Sequence, residues 1–353
     1  MEGKQEMVCP ERDYFVPFIQ RFKRAIYEGN ARGQRSVGEY LIFVDRPTNF
    51  ESACISEGLS EGLDTTGLAW APHWYDLVPL VTKSFRSWVG VVRDSHAYSL
   101  PVVFGKKNLI SEYARQMTLT TTGVRKFNSG KGLPTVLGEI GIPFDLQDGA
   151  AFQSGNFNLQ TSAMDVTMSA LDKSLLSGIL WNYTPDNTNK HGDGWNGEDL
   201  SIFSQDQQGV NSDNDIFAGI RALPAVVRPF VMRCSGTPVS MNFNIHTRIF
   251  LFQYQLECSE GGKVVKRAPT VVFVPFFQYP LTPRIEISEG TMHFDQDTQT
   301  LSVFHPHDAC STISVQISPV HLQEHIPEKN YLFDDSDTES MDGNALDPPS
   351  RLA

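Results

Sequence analysis

Asp45, Arg46 and Asn49; His73, Trp74, Tyr75 and Asp76; Glu139; and Trp181, Asn182 and Tyr183 form four groups of polar and aromatic residues, each placed where a short apolar run ends. Carboxylate, imidazole, phenol and indole gathered on one rim suit a sugar. The apolar face of a pyranose stacks on an indole, and its hydroxyls need paired polar partners. A further group lies between Asp186 and Asp199, where Asn187, His191, Asp193, Trp195, Asn196 and Glu198 crowd into a fourteen-residue stretch. Oxygen ligands at this density also suit calcium. The stretch lacks DxDxDG order and a glutamate at the twelfth place, so hydrogen bonding to sugar hydroxyls together with loop rigidity is the preferred reading, and no metal site is expected. His305, His307 and Asp308 read as surface residues.

The elements that must hold these groups follow from periodicity. Phe15, Phe18, Ile19, Phe22 and Ile26 make an apolar stripe at helical spacing over residues 14–27. Residues 40–44, 68–76, 134–143 and 177–184 read as strands, with helices expected over 75–89, from Asn108 onward and over 161–176. Strands alternating with helices, each ending in chemistry-bearing side chains, predict βα units of a parallel barrel with its site at the C-terminal strand ends. A closed barrel has eight strands, and only four are legible before residue 223. The fold class expected is therefore α/β: the C-terminal half of a (β/α)8 TIM barrel over residues 1–222, then an all-β sandwich over 223–333. The sandwich is read from short β-branched and aromatic runs such as TVVFVPFFQY and TISVQIS. Residues 334–353, acidic and poor in apolar mass, are expected to be disordered.

The 353 residues include 41 Asp and Glu against 29 Lys and Arg, a formal charge of -12. No basic run could neutralise a row of phosphates, which excludes nucleic acid as an expected partner. Five scattered cysteines without a CxxC pair argue against a disulfide framework and read as buried thiols. The first residues carry no export signal and no stretch is apolar enough to span a bilayer, so a cytoplasmic location is expected. Trp70, Trp74 and Phe50 are expected as exposed apolar residues beside the rim.

The segments PHWYD (72–76), GEIGIPFDL (138–146) and WNYTPDNTNKHGDGWNGEDLSIF (181–203) resemble the retaining glycoside hydrolases of family 5, and within them the fungal endoglycoceramidase-related β-glucosidases that act on steryl glucosides and glucosylceramide. The resemblance implies that Glu139 is the catalytic nucleophile at the end of the seventh barrel strand, that His73 and Tyr75 on the sixth strand orient it, and that Trp181 on the eighth forms the floor of the sugar subsite. Asn182, Asp186, Asn187, Asp193, Trp195, Asn196, Glu198 and Asp199 are the corresponding candidates for binding substrate. No cofactor is implied. The partner implied is a glucoside or glycolipid, with peripheral contact to a membrane.

A retaining glycosidase needs a second carboxylate about 5 Å from the first. The family carries it in an Asn-Glu-Pro motif ending the fourth strand, and no Asn-Glu-Pro occurs here. The sequence is expected to be a truncated form of a longer enzyme, because that accounts for the missing strands and the missing motif together; Glu51 is a weak substitute. Two alternatives stay open: a catalytically inactive relic that binds carbohydrate or glycolipid, and a cellulase-like hydrolase of soluble polysaccharide.

Overall fold

The computed structural model describes residues 8, 11–32, 40–45, 63–92, 101–124, 132–209, 215–257, 267–306 and 309–320. Arg46, Asn49, Phe50, Glu51, His307, Asp308 and the acidic tail lie outside the described residues. The first part runs α1 (Val16–Arg32), β1 (Ile42–Val44), β2 (Leu68–Trp70), β3 (His73–Trp74), α2 (Leu77–Thr82), β4 (Val89–Val91), β5 (Val102–Phe104) and α3 (Lys106–Leu119). It continues through β6 (Val136–Ile140), α4 (Leu146–Ser154), α5 (Asn158–Ser174), β7 (Ser177–Leu180) and α6 (Leu223–Val226).

β1 pairs in parallel with β2 (Ile42 opposite Leu68), β3 with β6 (His73 opposite Glu139), and β6 with β7 (Val136 opposite Ser177). A parallel bridge from Trp70 to Thr135 ties β2 to β6, so the strand order is β1, β2–β3, β6, β7. The single strand expected over 68–76 is broken at Ala71-Pro72, because proline has no N–H for the ladder. Its carbonyl instead accepts from Gly138 N at 2.9 Å. With all strands parallel, their C-terminal ends share one edge. Leu109, Met117, Leu137, Ile140, Val166 and Ala170 fill the core between this sheet and α3 and α5.

Three expectations are corrected. The helix expected over 75–89 ends at Thr82, where Lys83 turns left-handed (φ 54°), and the chain goes on into a β4–β5 hairpin (Val89 opposite Phe104). Helix α1 is rotated from the expected stripe: Val16, Ile19 and Lys23 are buried, whereas Phe18 and Phe22 point outward and stack with centroids 6.1 Å apart. Lys23 tolerates burial because Nζ donates to Asp64 Oδ2 at 2.6 Å and to Asp64 O at 2.9 Å, and the same bond holds the Asp64 carboxyl down at about 2. Trp70 and Trp74, expected at the rim, are buried instead, with Trp70 Nε1 donating to Thr120 O at 3.0 Å.

From Phe230 the chain forms β8 (Phe230–Arg233), β9 (Thr237–Asn244), β10 (Ile249–Gln255), β11 (Thr270–Phe273), β12 (Arg284–Ile287), β13 (Thr291–Asp295), β14 (Thr300–Phe304) and β15 (Thr312–Ser318). They build two antiparallel four-stranded sheets, ordered β12–β15–β10–β9 and β13–β14–β11–β8. The pleat sends Phe250, Phe252 and Tyr254 inward and exposes Leu251 between them. Val272, Leu301 and Val303 of the second sheet meet them in a common core, each fully buried side chain contributing about 1.5–3 kcal/mol.

The parallel sheet and this second unit are joined through a buried cation. Arg228 reaches Asp172 Oδ2 at 2.7 Å and Asp165 Oδ1 at 3.5 Å on α5, and Phe243 O at 3.3 Å on β9. Cys310 is disulfide-bonded, which corrects the reading of all five cysteines as thiols; Cys234 is free. No described helix is long and apolar enough to cross a membrane.

Candidate functional site

Glu139 lies on β6 one residue before the strand's end, and the parallel register puts it directly beside His73. Two glycines allow this closeness. A Cβ on Gly138 would stand 2.7 Å from Ala71 O and 3.3 Å from His73 Nε2, and one on Gly141 would stand 2.3 Å from Trp181 O. The strand ends can therefore draw together only where side chains are absent.

His73 is held between two carboxylates, with Nδ1 3.3 Å from Glu139 Oε2 and Nε2 3.2 Å from Asp45 Oδ2. A neutral imidazole can donate to only one of them and an imidazolium to both. Tyr75 donates its hydroxyl to the same Glu139 Oε2 at 2.9 Å. Burial pushes the Tyr75 phenol up, and the bond to Glu139 adds to the shift, so the phenol remains a donor. Glu139 Oε2 thus receives two partners, while its side chain keeps 24% exposure.

Trp181 and Asn182 leave β7 beside this pair. Trp181 N donates to Ile140 O at 2.9 Å, and the Trp181–Asn182 peptide is cis. Asn182 Nδ2 donates to Asp193 Oδ2 at 3.0 Å, an oxygen that also accepts from Leu200 N at 3.2 Å. The other Asp193 oxygen accepts from Trp195 N at 3.1 Å. Asp186, Trp195 and Asn196 are exposed on this loop.

Asn187 and Asp199 lie elsewhere. Both are buried beneath the loop, with Asn187 Nδ2 donating to Asp199 Oδ1 at 2.9 Å. Arg221, fully buried, donates from Nη1 to Asp199 Oδ2 at 2.9 Å and from Nη2 to Oδ1 at 2.5 Å, with its guanidinium 4.2 Å from the Phe144 ring centroid. These two members of the expected binding set are engaged in holding the loop.

The electrostatics of the rim converge on Glu198. Burial raises its carboxyl above the usual range, Lys83 pulls it back, and Asp193, Asp145 and Glu139 push it up. Lys83 Nζ pairs with Asp145 Oδ1 at 3.0 Å. Asp145 opens a turn in which Gln147, Asp148 and Gly149 are all left-handed, a conformation costly for the first two. Glu198, Asp193 and Glu139 also bear on Tyr75, so the three acids act on one phenol. Among the described residues no group of three or more His, Cys, Asp or Glu is arranged to hold a metal ion.

Comparison with known proteins gives this geometry a context. Residues 228–317 match the family model described as the glycoside hydrolase family 5 C-terminal domain. Beyond it, the chain is 30% identical over 314 residues to the glucosylceramidase of Rhizopus delemar, covering 84% of this chain and 43% of that protein. It is 27% identical over 294 residues to the ergosteryl-beta-glucosidase of Saccharomyces cerevisiae, covering 67% of this chain and 38% of that protein. The crystal structure of Cryptococcus neoformans sterylglucosidase 1 with tris shares its fold with a TM-score of 0.76 at 24% identity, over 90% of this chain and 45% of that one. The chain spans less than half the length of these relatives.

The domain matched over residues 228–317 is fastened to α5, and through it to the core under β6, by Arg228, so the candidate site and that domain belong to one packed body. Within the site, three participants escaped sequence reasoning. Arg221 is a lone arginine in GIRALP, and Lys83 and Asp145 stand far apart in sequence; nothing in spacing marks any of them. Asp45 was legible as a strand-end residue, but its contact with His73 needed the strand order.

Proposed function

We propose that this chain is part of a retaining β-glucosidase acting on a glycolipid such as glucosylceramide or a steryl glucoside, with Glu139 as the nucleophile. In this reading residues 1–222 are the C-terminal half of a (β/α)8 barrel, with β1, β2–β3, β6 and β7 as its fifth to eighth strands, and residues 223–333 are the sandwich. The observation that carries the proposal is the convergence of Tyr75 and His73 on one oxygen of Glu139. Two groups gathered at one carboxylate oxygen fix the orientation of Glu139 and leave the other oxygen for attack on an anomeric carbon.

The chemistry runs as a double displacement. Glu139 attacks the anomeric carbon, the glycosidic bond breaks with its electron pair going to the aglycone oxygen, and that oxygen takes up a proton; water then attacks the glycosyl-enzyme ester, gives up a proton that balances the first, and frees glucose and the Glu139 carboxylate. Trp181 supports the glucose ring, and Asn182, Asp193 and Glu198 offer polar contacts to its hydroxyls. The names of the fungal relatives support a lipid-linked glucoside. The proton donor is a separate matter, because the Asn-Glu-Pro expected for it does not occur in the 353 residues.

The second reading is a glycolipid-binding protein without turnover. A 2,4-dinitrophenyl β-glucoside separates the two, since its acidic leaving group departs without a proton donor. The hydrolase reading expects dinitrophenol release that falls at least about 100-fold in Glu139→Gln; equal rates in both proteins would sink it, and saturable binding of the glucoside without release would favour the second reading.

A further inference from the structure

Helix α2 emerges directly from the candidate site. It starts two residues after Tyr75, and Asp76 caps it by accepting from Val78 N at 3.0 Å. Despite this position at the rim, Leu77, Val78 and Val81 are exposed, Val81 by 76%. The following hairpin shows the same pattern. Val103 packs against the core and Phe85 is buried beneath it, so the pleat turns Val102 and Phe104 outward, Phe104 by 62%. Trp88, also exposed, stacks on Phe104 with centroids 6.4 Å apart and planes 18° from parallel. The Arg86 guanidinium lies 5.7 Å above the Trp88 ring.

These apolar groups differ from the other exposed ones on the parallel sheet. Phe18, Phe22 and Phe43 flank β1, whose far edge pairs with no described strand. The hairpin instead follows β3 and precedes β6, which pair with each other, so its exposure does not come from an open sheet edge. Its charge is also the reverse of the chain's. The described residues within 77–107 include four basic residues, Lys83, Arg86, Lys106 and Lys107, and no acid, in a protein of formal charge -12. Lys83 and Lys106 are paired with Asp145 and Asp165, while Arg86 and Lys107 are exposed.

We propose that α2 and the β4–β5 hairpin form a docking surface for an anionic lipid bilayer, placing the Glu139 rim against the membrane. An indole and a phenyl ring with cations beside them suit the headgroup boundary, where aromatic rings bury part of their area and basic side chains meet lipid phosphates. The proposal rests on the glycolipid reading only for what the surface would deliver; the docking itself needs no turnover.

The test is co-sedimentation of the 353-residue chain with phosphatidylcholine vesicles, with and without phosphatidylserine and free of any glycolipid. Wild type partitions onto the anionic vesicles and is released by salt. Trp88→Ala/Phe104→Ala and, separately, Arg86→Glu/Lys107→Glu each lower partitioning by about tenfold or more, and Glu139→Gln leaves it unchanged. The charge pair carries the test if the aromatic pair fails to fold by thermal unfolding. Wild type remaining in the supernatant, or folded variants partitioning like wild type, would overturn the proposal. So would a wild-type dimer that Trp88→Ala/Phe104→Ala turns monomeric without any vesicle binding, because the face would then pair two copies of this chain. Vesicle binding with no dinitrophenol release from the 2,4-dinitrophenyl β-glucoside would reject the enzyme reading and keep the surface.

Discussion

Tyr75 donates its hydroxyl to Glu139 Oε2 across 2.9 Å, from a position just past the end of β3 and two residues before helix α2. Removing the hydroxyl in Tyr75→Phe leaves the ring and its packing in place and takes away one bond to a carboxylate. A hydrogen bond to a charged group is worth about 1.5–3 kcal/mol, so kcat on an aryl glucoside falls by about 10- to 100-fold. KM changes little. Steady-state kinetics and a thermal melt check this together, and an unchanged kcat in a folded variant would remove Tyr75 from the site.

Gly141 sits where β6 and the chain leaving β7 come closest. The Cβ of Gly141→Ala would stand 2.3 Å from the Trp181 carbonyl oxygen, which is backbone and has nowhere to yield. The variant loses about 1–3 kcal/mol of stability and, by moving Trp181, loses sugar affinity more than a surface substitution of equal stability cost. Urea unfolding together with tryptophan fluorescence in a sugar titration measures both.

How much of this was legible in the sequence varies by residue. The antiparallel sheets were, because Phe250, Phe252 and Tyr254, and likewise Ile313, Val315 and Ile317, alternate with polar or exposed neighbours in a way only a half-buried strand requires. His73, Tyr75 and Glu139 were legible as strand-end chemistry, since parallel strands bring their C-terminal ends together whatever the loop lengths. Helix α1's orientation was not, because the buried Lys23 counts as polar until its partner Asp64 is known. The β4–β5 hairpin was missed because Val89–Val91 and Val102–Phe104 are too short for periodicity to separate strand from helix. Nor does any pattern show that Asn187 and Asp199 turn inward; that follows from Arg221, a charge whose partners lie about twenty residues away in sequence.

Arg221 and Asp199 form a buried ion pair, with side chains 0% and 6% exposed. Removing one partner strands the other charge, so Arg221→Met destabilises the chain by about 3–5 kcal/mol. Adding Asp199→Asn recovers part of that loss. Chemical denaturation of both variants checks the coupling, and equal stabilities for the single and the double variant would contradict it.

Burial pushes the Tyr254 phenol up to about 12 and also raises Tyr75, Tyr113 and Tyr279. An unfolded phenol ionises near about 10, so the folded chain holds these protons more tightly than the unfolded chain. The associated stability is fully present below about pH 10 and is lost as pH rises toward and through about 12. Tyrosinate absorbance and circular dichroism followed together on an alkaline titration should show a fraction of phenols that ionise only as the chain unfolds. Complete phenol ionisation near about pH 10 with the fold intact would contradict the burial.

Whether Glu139 is a nucleophile is decided by a 2-deoxy-2-fluoro-β-glucoside with a dinitrophenyl leaving group. The good leaving group drives attack, and the fluorine destabilises the oxocarbenium-like state needed to hydrolyse the ester, so a glycosyl-enzyme persists. Peptide mapping by mass spectrometry should find one fluoroglucosyl group on the peptide containing Gly138-Glu139-Ile140, absent in Glu139→Gln. A label on another carboxylate, or no label on a folded chain that binds the glucoside, would contradict the claim.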